Sequence, residues 1–211
     1  MSYIEFFFRY FHVLAGIVWI GMLYYFNFVQ TEYFKEAEAS AKSDAMAKLA
    51  PRALWWFRWG AMLTFLTGAY LFHKIGALGM SMPAIWMGAL AGTFMFLNVW
   101  LVIWPNQQIV LGMKEGDGPS AAAKAGLASR TNTLFSGPML LGMLGSKHIA
   151  AISTQVGGSV TDTGLSAALG HIVVLEINAL FGGMGPMKSV LGVIHCSLAL
   201  MLAVLGILLY L

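Results

Sequence analysis

The run from residue 3 to about residue 30 is the stretch that most narrows what this chain can become. It is apolar and long enough to cross a bilayer as a helix, which takes about 20 residues. Its few polar and small residues are ordered. Glu5, Arg9, His12, Gly16, Trp19, Leu23 and Asn27 follow one another at spacings of three or four. That spacing draws one stripe along a helix. The remaining surface is Phe, Ile, Val, Leu and Tyr, which suits lipid or neighbouring helices. An ionisable group facing hydrocarbon is costly, so the stripe is expected to face the protein interior. His12 is then presented to a cofactor, a metal or another side chain.

The whole chain has 211 residues, of which 59% are hydrophobic and 10% charged. This excludes an ordinary soluble domain and predicts an all-α fold: a polytopic membrane helix bundle, with 1–211 forming a single transmembrane domain in the lipid bilayer. The net charge of +3 is small and no basic tract occurs, so no nucleic-acid partner is expected. The one cysteine, Cys196, excludes an intrachain disulfide. There is no Cys-x-x-Cys-His, which excludes a covalently attached c-type haem. The first apolar run is too long for a signal peptide and reads as a retained span.

Six spans are expected, at about 3–30, 55–77, 84–104, 131–152, 164–183 and 189–211. Between the first two, Gln30 to Arg52 is rich in Ala, Glu and Lys and reads as an interfacial helix. Trp55, Trp56 and Trp59 fit an aromatic belt, and Arg58 beside them is expected to snorkel to the headgroups. Gly76–Pro83 forms a short turn, Asn106–Arg130 a second polar stretch, Ser153–Thr163 a Gly/Ser/Thr-rich loop and Gly182–Pro186 a tight turn. Gly88-x-x-x-Gly92 permits close helix approach. Lys35, Lys42, Lys48, Arg52, Arg58, Lys114, Lys124, Arg130 and Lys188 lie in or beside the first, third and fifth connections, against Arg9, Lys74 and Lys147 on the other side. Those connections are expected to be cytoplasmic, with both termini outside. The predicted location is a bacterial inner membrane.

Orientation makes the histidines informative. His12 is expected about 10–14 Å below the outer surface, at ~1.5 Å per residue. His171 falls at a similar depth. His73 and His148 end the second and fourth spans near the same face, and His195 stands alone in the inner half. Imidazole ligates haem iron and also binds zinc or copper. Two histidines on facing helices at one depth can clamp a haem held edge-on, and His12 with His171 is the pair matched in depth. His73 and His148 are then candidates for a second haem, for propionate contacts or for an opening; simple interfacial placement is the plainer reading. His195 is a candidate ligand for an inner haem. The expected cofactor is haem b, one or two, with copper or zinc as alternatives; the fourteen methionines are normal filler between helices.

Glu176 lies mid-way along the fifth span, about 140° round the helix from His171, with Asn178 nearly in line with that histidine. Trp19 and Asn178 join the histidines as candidate cofactor contacts. A mid-span carboxyl is protonated, paired, or beside a cofactor or proton path. Arg130, Asn132 and Ser136 open the fourth span, to anchor acidic groups or to cap the helix. Asn98 needs a partner on another helix.

His12-x-x-x-Gly16-Ile-x-Trp19-Ile-Gly21-x-Leu23-Tyr-x-Phe26-Asn27 resembles the first helix of the membrane domain of bacterial cytochrome c-linked urate oxidases, the PuuD type. Trp100-x-x-x-Trp104-Pro105-Asn106-Gln107 and Ser129-Arg130-x-Asn132-Thr133-x-x-Ser136-x-Pro138, with His148 downstream, resemble two further motifs of that family. The family's enzymes carry a C-terminal c-type cytochrome. This chain stops at Leu211, so the resemblance implies a separate c-type cytochrome, or a respiratory or oxidase complex, as partner. The first helix also resembles, more weakly, that of HemJ-type protoporphyrinogen oxidases. The leading expectation is a b-type haem protein that transfers electrons near the outer face. A second is a membrane oxidase acting on urate or a porphyrinogen, with Glu176 and Arg130 as catalytic candidates for proton transfer and anion binding. A third is a non-catalytic accessory subunit, and a homo-oligomer is compatible with each.

Overall fold

The computed structural model describes residues 2–75, 83–152 and 162–211. Among them the expected all-helical architecture is observed, with no strand. Six long helices follow in order: α1 (Tyr3–Glu36), α2 (39–74), α3 (83–110), α4 (Gly118–His148), α5 (Asp162–Phe181) and α6 (Val190–Tyr210). Among the described residues, four helical stretches are long and apolar enough to cross a membrane: Tyr3–Glu36, Ala84–Val110, Thr163–Phe181 and Val190–Tyr210. The second and fourth expected spans fall in α2 and α4. Those helices carry Arg52, Arg58 and Lys74, and Lys124, Arg130 and Lys147, and are not among the four. The Gly76–Pro83 turn and the Ser153–Thr163 loop fall almost wholly outside the described residues.

Local chemistry sets the helix ends. Ser2 caps α1: its Oγ accepts from the Glu5 N–H at 3.2 Å. The Gln30–Arg52 stretch is helical, but not as a separate interfacial helix. α1 continues to Glu36, the backbone opens at Ala37 and Glu38 with ψ of 140° and 148°, and α2 begins at Ala39. Ala, Glu and Lys are strong helix formers, so both helices run on past the apolar stretch. The Asn106–Arg130 stretch behaves alike. α3 ends at Val110, the chain turns through Gly112 with φ 70°, and α4 starts at Gly118. Asp117 Oδ1 accepts from the Ser120 N–H at 3.4 Å. Arg130, Asn132 and Ser136 therefore lie inside α4, which overturns the capping reading: the Ala-rich run before them is already helix.

The described chain divides into two compact units. The first comprises Met1–Gly68 and Phe96–Arg130, the second Ala69–Met95 and Thr131–Leu211. In the first, the stripe on α1 turns inward as expected: Trp19, Leu23 and Asn27 are buried, with Ala15 beside them. Gly60 on α2 lets the backbones close up, since a Cβ there would lie 3.2 Å from Trp19 N and 3.4 Å from Ala15 O. Ring contacts join Phe26 to Phe57, Trp59 to Trp100 and Phe65 to Phe96, with centroids 5.6, 5.6 and 4.2 Å apart. Three stretches of this unit widen into π-helix, at Tyr25–Gln30, Ala45–Leu49 and Asn98–Ile103.

In the second unit, Gly88 meets Gly142 backbone to backbone; a Cβ on Gly142 would lie 2.6 Å from Gly88 Cα. Gly92 faces only the Met139 side chain, so the close approach uses one glycine of the expected pair. Pro138 lies inside α4 and cannot donate to the Leu134 carbonyl, one turn back. The Ser197 hydroxyl of α6 donates to that carbonyl instead, at 2.9 Å, and accepts from the Gly137 N–H at 3.2 Å. Ser136 Oγ donates to the Thr133 carbonyl at 2.7 Å. Lipid provides no donor, so these hydroxyls are what make a proline tolerable there. Ser197→Ala is expected to lower stability by about 1–2 kcal/mol, because one hydroxyl serves two backbone groups. Equilibrium unfolding in detergent measures it; unchanged stability would contradict this account of Pro138.

Candidate functional site

His12 is half-buried in the first unit, against residues 64–68 of α2. Its Nδ1 lies 2.9 Å from the Thr64 carbonyl oxygen and 3.2 Å from Thr67 Oγ1. A carbonyl oxygen only accepts, so Nδ1 carries the hydrogen. In the neutral ring Nε2 then keeps its lone pair, the atom with which imidazole takes a metal or a proton. The Thr67 hydroxyl is itself fixed, donating to the Leu63 carbonyl at 2.6 Å. Gly68 makes the room: a Cβ there would lie 2.9 Å from His12 Cε1. Thr64, Thr67 and Gly68 share one face of α2 and form a receptor for the ring. The sequence reading did not single them out, although Thr-x-x-Thr-Gly is a small, polar face at helical spacing.

Further along the stripe, Trp19 is buried and its Nε1–H has no hydrogen-bond partner; nor has that of Trp100. Asn27 is buried, donating to the Leu23 carbonyl at 2.9 Å and to Ser129 Oγ of α4 at 2.8 Å. At the start of α1, Arg9 and Glu5 pair at 2.9 Å. Arg58 does not reach out to headgroups as expected. It is buried, and its guanidinium carbon lies over the Trp104 ring, 3.3 Å from the centroid. Stacking of this kind offers a cation an attraction that water would otherwise supply. Arg130 is buried as well, with Glu32 within electrostatic reach.

In the second unit, His171 is exposed. Its Nδ1 lies 2.7 Å from the Ala167 carbonyl of its own helix, so the same argument places the hydrogen on Nδ1 and leaves Nε2 open. His73 and His148 are exposed at the ends of α2 and α4, and His195 is exposed on α6. Glu176 is buried in α5. Asn178 closes the end of α5, donating to the Gly183 carbonyl at 3.1 Å and accepting from the Gly183 N–H at 3.3 Å. Asn132 donates to the Met95 carbonyl at 2.9 Å, and Asn98 is buried in its π-helical turn. Among the described residues, no group of three or more His, Cys, Asp and Glu side chains is placed to hold a metal ion. Haem asks less of the protein than a bare ion, because the porphyrin supplies four ligands and side chains only the axial ones. His12 fits that role through its fixed Nδ1–H and open Nε2.

Residues 78–160 match the family model Urate oxidase N-terminal. It is the family that the three motifs resemble. The matched stretch holds two of them, Trp100–Gln107 and Ser129–Pro138, together with His148. No curated protein and no solved structure matches the chain.

The Asn27–Ser129 bond ties the first-helix motif to the motif on α4. Asn27→Ala and Ser129→Ala are each expected to cost about 0.6 kcal/mol, and no more than ~1.7 kcal/mol. The double variant should cost less than the sum of the two. A double-mutant cycle by unfolding in detergent tests this, and strict additivity would contradict the bond.

Proposed function

We propose that this chain is a haem-binding membrane redox protein of a urate-oxidising system, in which His12 is an axial ligand and electrons pass on to a c-type cytochrome. The observation that carries the reading is the Nδ1–H···O=C bond from His12 to Thr64. A hydrogen bond from the far ring nitrogen to a carbonyl holds a ligating imidazole in one tautomer and orientation. His171 of the second unit, whose Nδ1 is tethered in the same way, is a further candidate ligand. His148, His73 and His195 are secondary candidates. The link to urate rests on the match to the urate oxidase N-terminal family over residues 78–160.

When bound, haem supplies a one-electron couple. The chain's own residues do the rest. Thr64, Thr67 and Gly68 hold the His12 ring, and a hydrogen bond to its Nδ1–H raises the basicity of Nε2. The buried Trp19 and Leu23 of the same stripe, with Ala15 beside them, exclude water from the side of α1 that carries His12. The reading takes six spans in a bacterial inner membrane with both termini outside, and with them His12 near the face where a c-type cytochrome would dock.

A second reading makes the chain the oxidase itself, with urate bound in the membrane domain and Glu176 and Arg130 handling protons and negative charge. The family match favours this on substrate, and both side chains are buried.

Purified protein is expected to show a Soret band and, on reduction, the α-band of a b-type haem. His12→Ala should lose most of the haem measured as pyridine haemochrome. Wild-type haem content in that variant would overturn the proposal. Reduction of the haem by urate alone, without a partner protein, would select the second reading.

A further inference from the structure

Two buried guanidinium groups in the first unit make no ion pair with a carboxylate. Arg58 is 9% exposed and Arg130 is 5% exposed. Arg58 Nε and Nη1, and Arg130 Nη1, are buried without a hydrogen-bond partner. Three other cations of this unit have a carboxylate partner: Arg9 has Glu5, Lys35 has Glu32 and Lys48 has Asp44. Glu32, the one carboxylate acting on Arg130, is held by Lys35 at 2.8 Å and does not pair with the arginine. Glu36, Glu38, Glu115 and Asp117 are all exposed.

Packing brings the two arginines to one level. Asn27 bonds Ser129, the neighbour of Arg130. Phe26 meets Phe57, the neighbour of Arg58, and Arg58 itself lies on Trp104. A buried guanidinium with N–H groups unbonded is costly, and for Arg58 the Trp104 face offsets only part of that. Unmade N–H donors on two cations at one level are what an oxyanion satisfies.

We propose that Arg58 and Arg130, with Trp104 as the platform, form an anion site that takes one phosphate or carboxylate group. The group is either the headgroup of an anionic lipid or a small dissolved anion. The positive-inside count puts this level at the cytoplasmic side, where basic pockets between helices collect anionic headgroups. The site is independent of haem.

The test uses the full chain in phosphatidylcholine nanodiscs, followed by thermal unfolding. One arm titrates inorganic phosphate and acetate; the other replaces phosphatidylcholine with phosphatidylglycerol. A saturable rise in midpoint is expected, in the first arm for a dissolved anion and in the second for a lipid. Arg58→Gln and Arg130→Gln should each raise the half-saturating amount by about tenfold, the loss of roughly one charge-assisted hydrogen bond. Lys124→Gln, at an exposed position of α4, should leave it unchanged. A wild-type midpoint indifferent to phosphate, acetate and phosphatidylglycerol would overturn the proposal, as would arginine variants that respond like wild type. Should both arginine variants fail to fold, native mass spectrometry of the wild type decides. A retained phosphate- or carboxylate-bearing adduct supports the site, and a bare chain overturns it.

Discussion

Hydrocarbon gives a polar group nothing to bond with, and the arrangement of this protein follows from that fact. The first helix concentrates its polar side chains on one stripe, and Glu5, Arg9, His12 and Asn27 find partners within the protein. Glu5 takes Arg9, His12 takes the Thr64 carbonyl, and Asn27 takes Leu23 and Ser129. The bond at His12 does two things at once. It hides an N–H from lipid, and it leaves the ring with one unshared lone pair. A histidine that is well placed structurally thereby becomes one that can ligate.

Irregular backbone is handled in the same way. Pro138 interrupts α4, and Ser197 from α6 restores the lost partner of Leu134. The close passage that allows this needs Gly137, where a Cβ would lie 2.7 Å from Ser197 Oγ. The π-helical turns at Tyr25–Gln30 and Asn98–Ile103 each contain a buried asparagine. Widened turns of this kind often accompany functional sites, because they re-aim side chains without ending the helix. Here the first of them directs Asn27 towards the motif on α4.

Much of this was legible in the sequence because it is periodic. The stripe from Glu5 to Asn27 fixed which side of α1 faces inward, and apolar length fixed the helices. What escaped was what depends on a partner from elsewhere in the chain. Nothing local to Thr64 or Gly68 says that an imidazole will lie against them. Arg58 was expected among headgroups because Trp55, Trp56 and Trp59 surround it in sequence. Trp104, from another helix, holds it inside instead. The polar stretches at 30–52 and 106–130 looked like separate elements, yet their alanines, glutamates and lysines simply prolong the helices beside them. Asn178 looked like a cofactor contact by its angle from His171, but the Gly182-Gly183 turn captures both ends of its amide.

The central claim is that His12 is held by Nδ1 and offers Nε2. The most direct measurement is the 15N spectrum of histidine-labelled protein free of haem, in detergent at neutral pH, with His12→Gln assigning the signal. The account predicts a neutral ring with its hydrogen on Nδ1 and a non-protonated Nε2. A ring protonated on Nε2, or one averaging between the two tautomers, would contradict it.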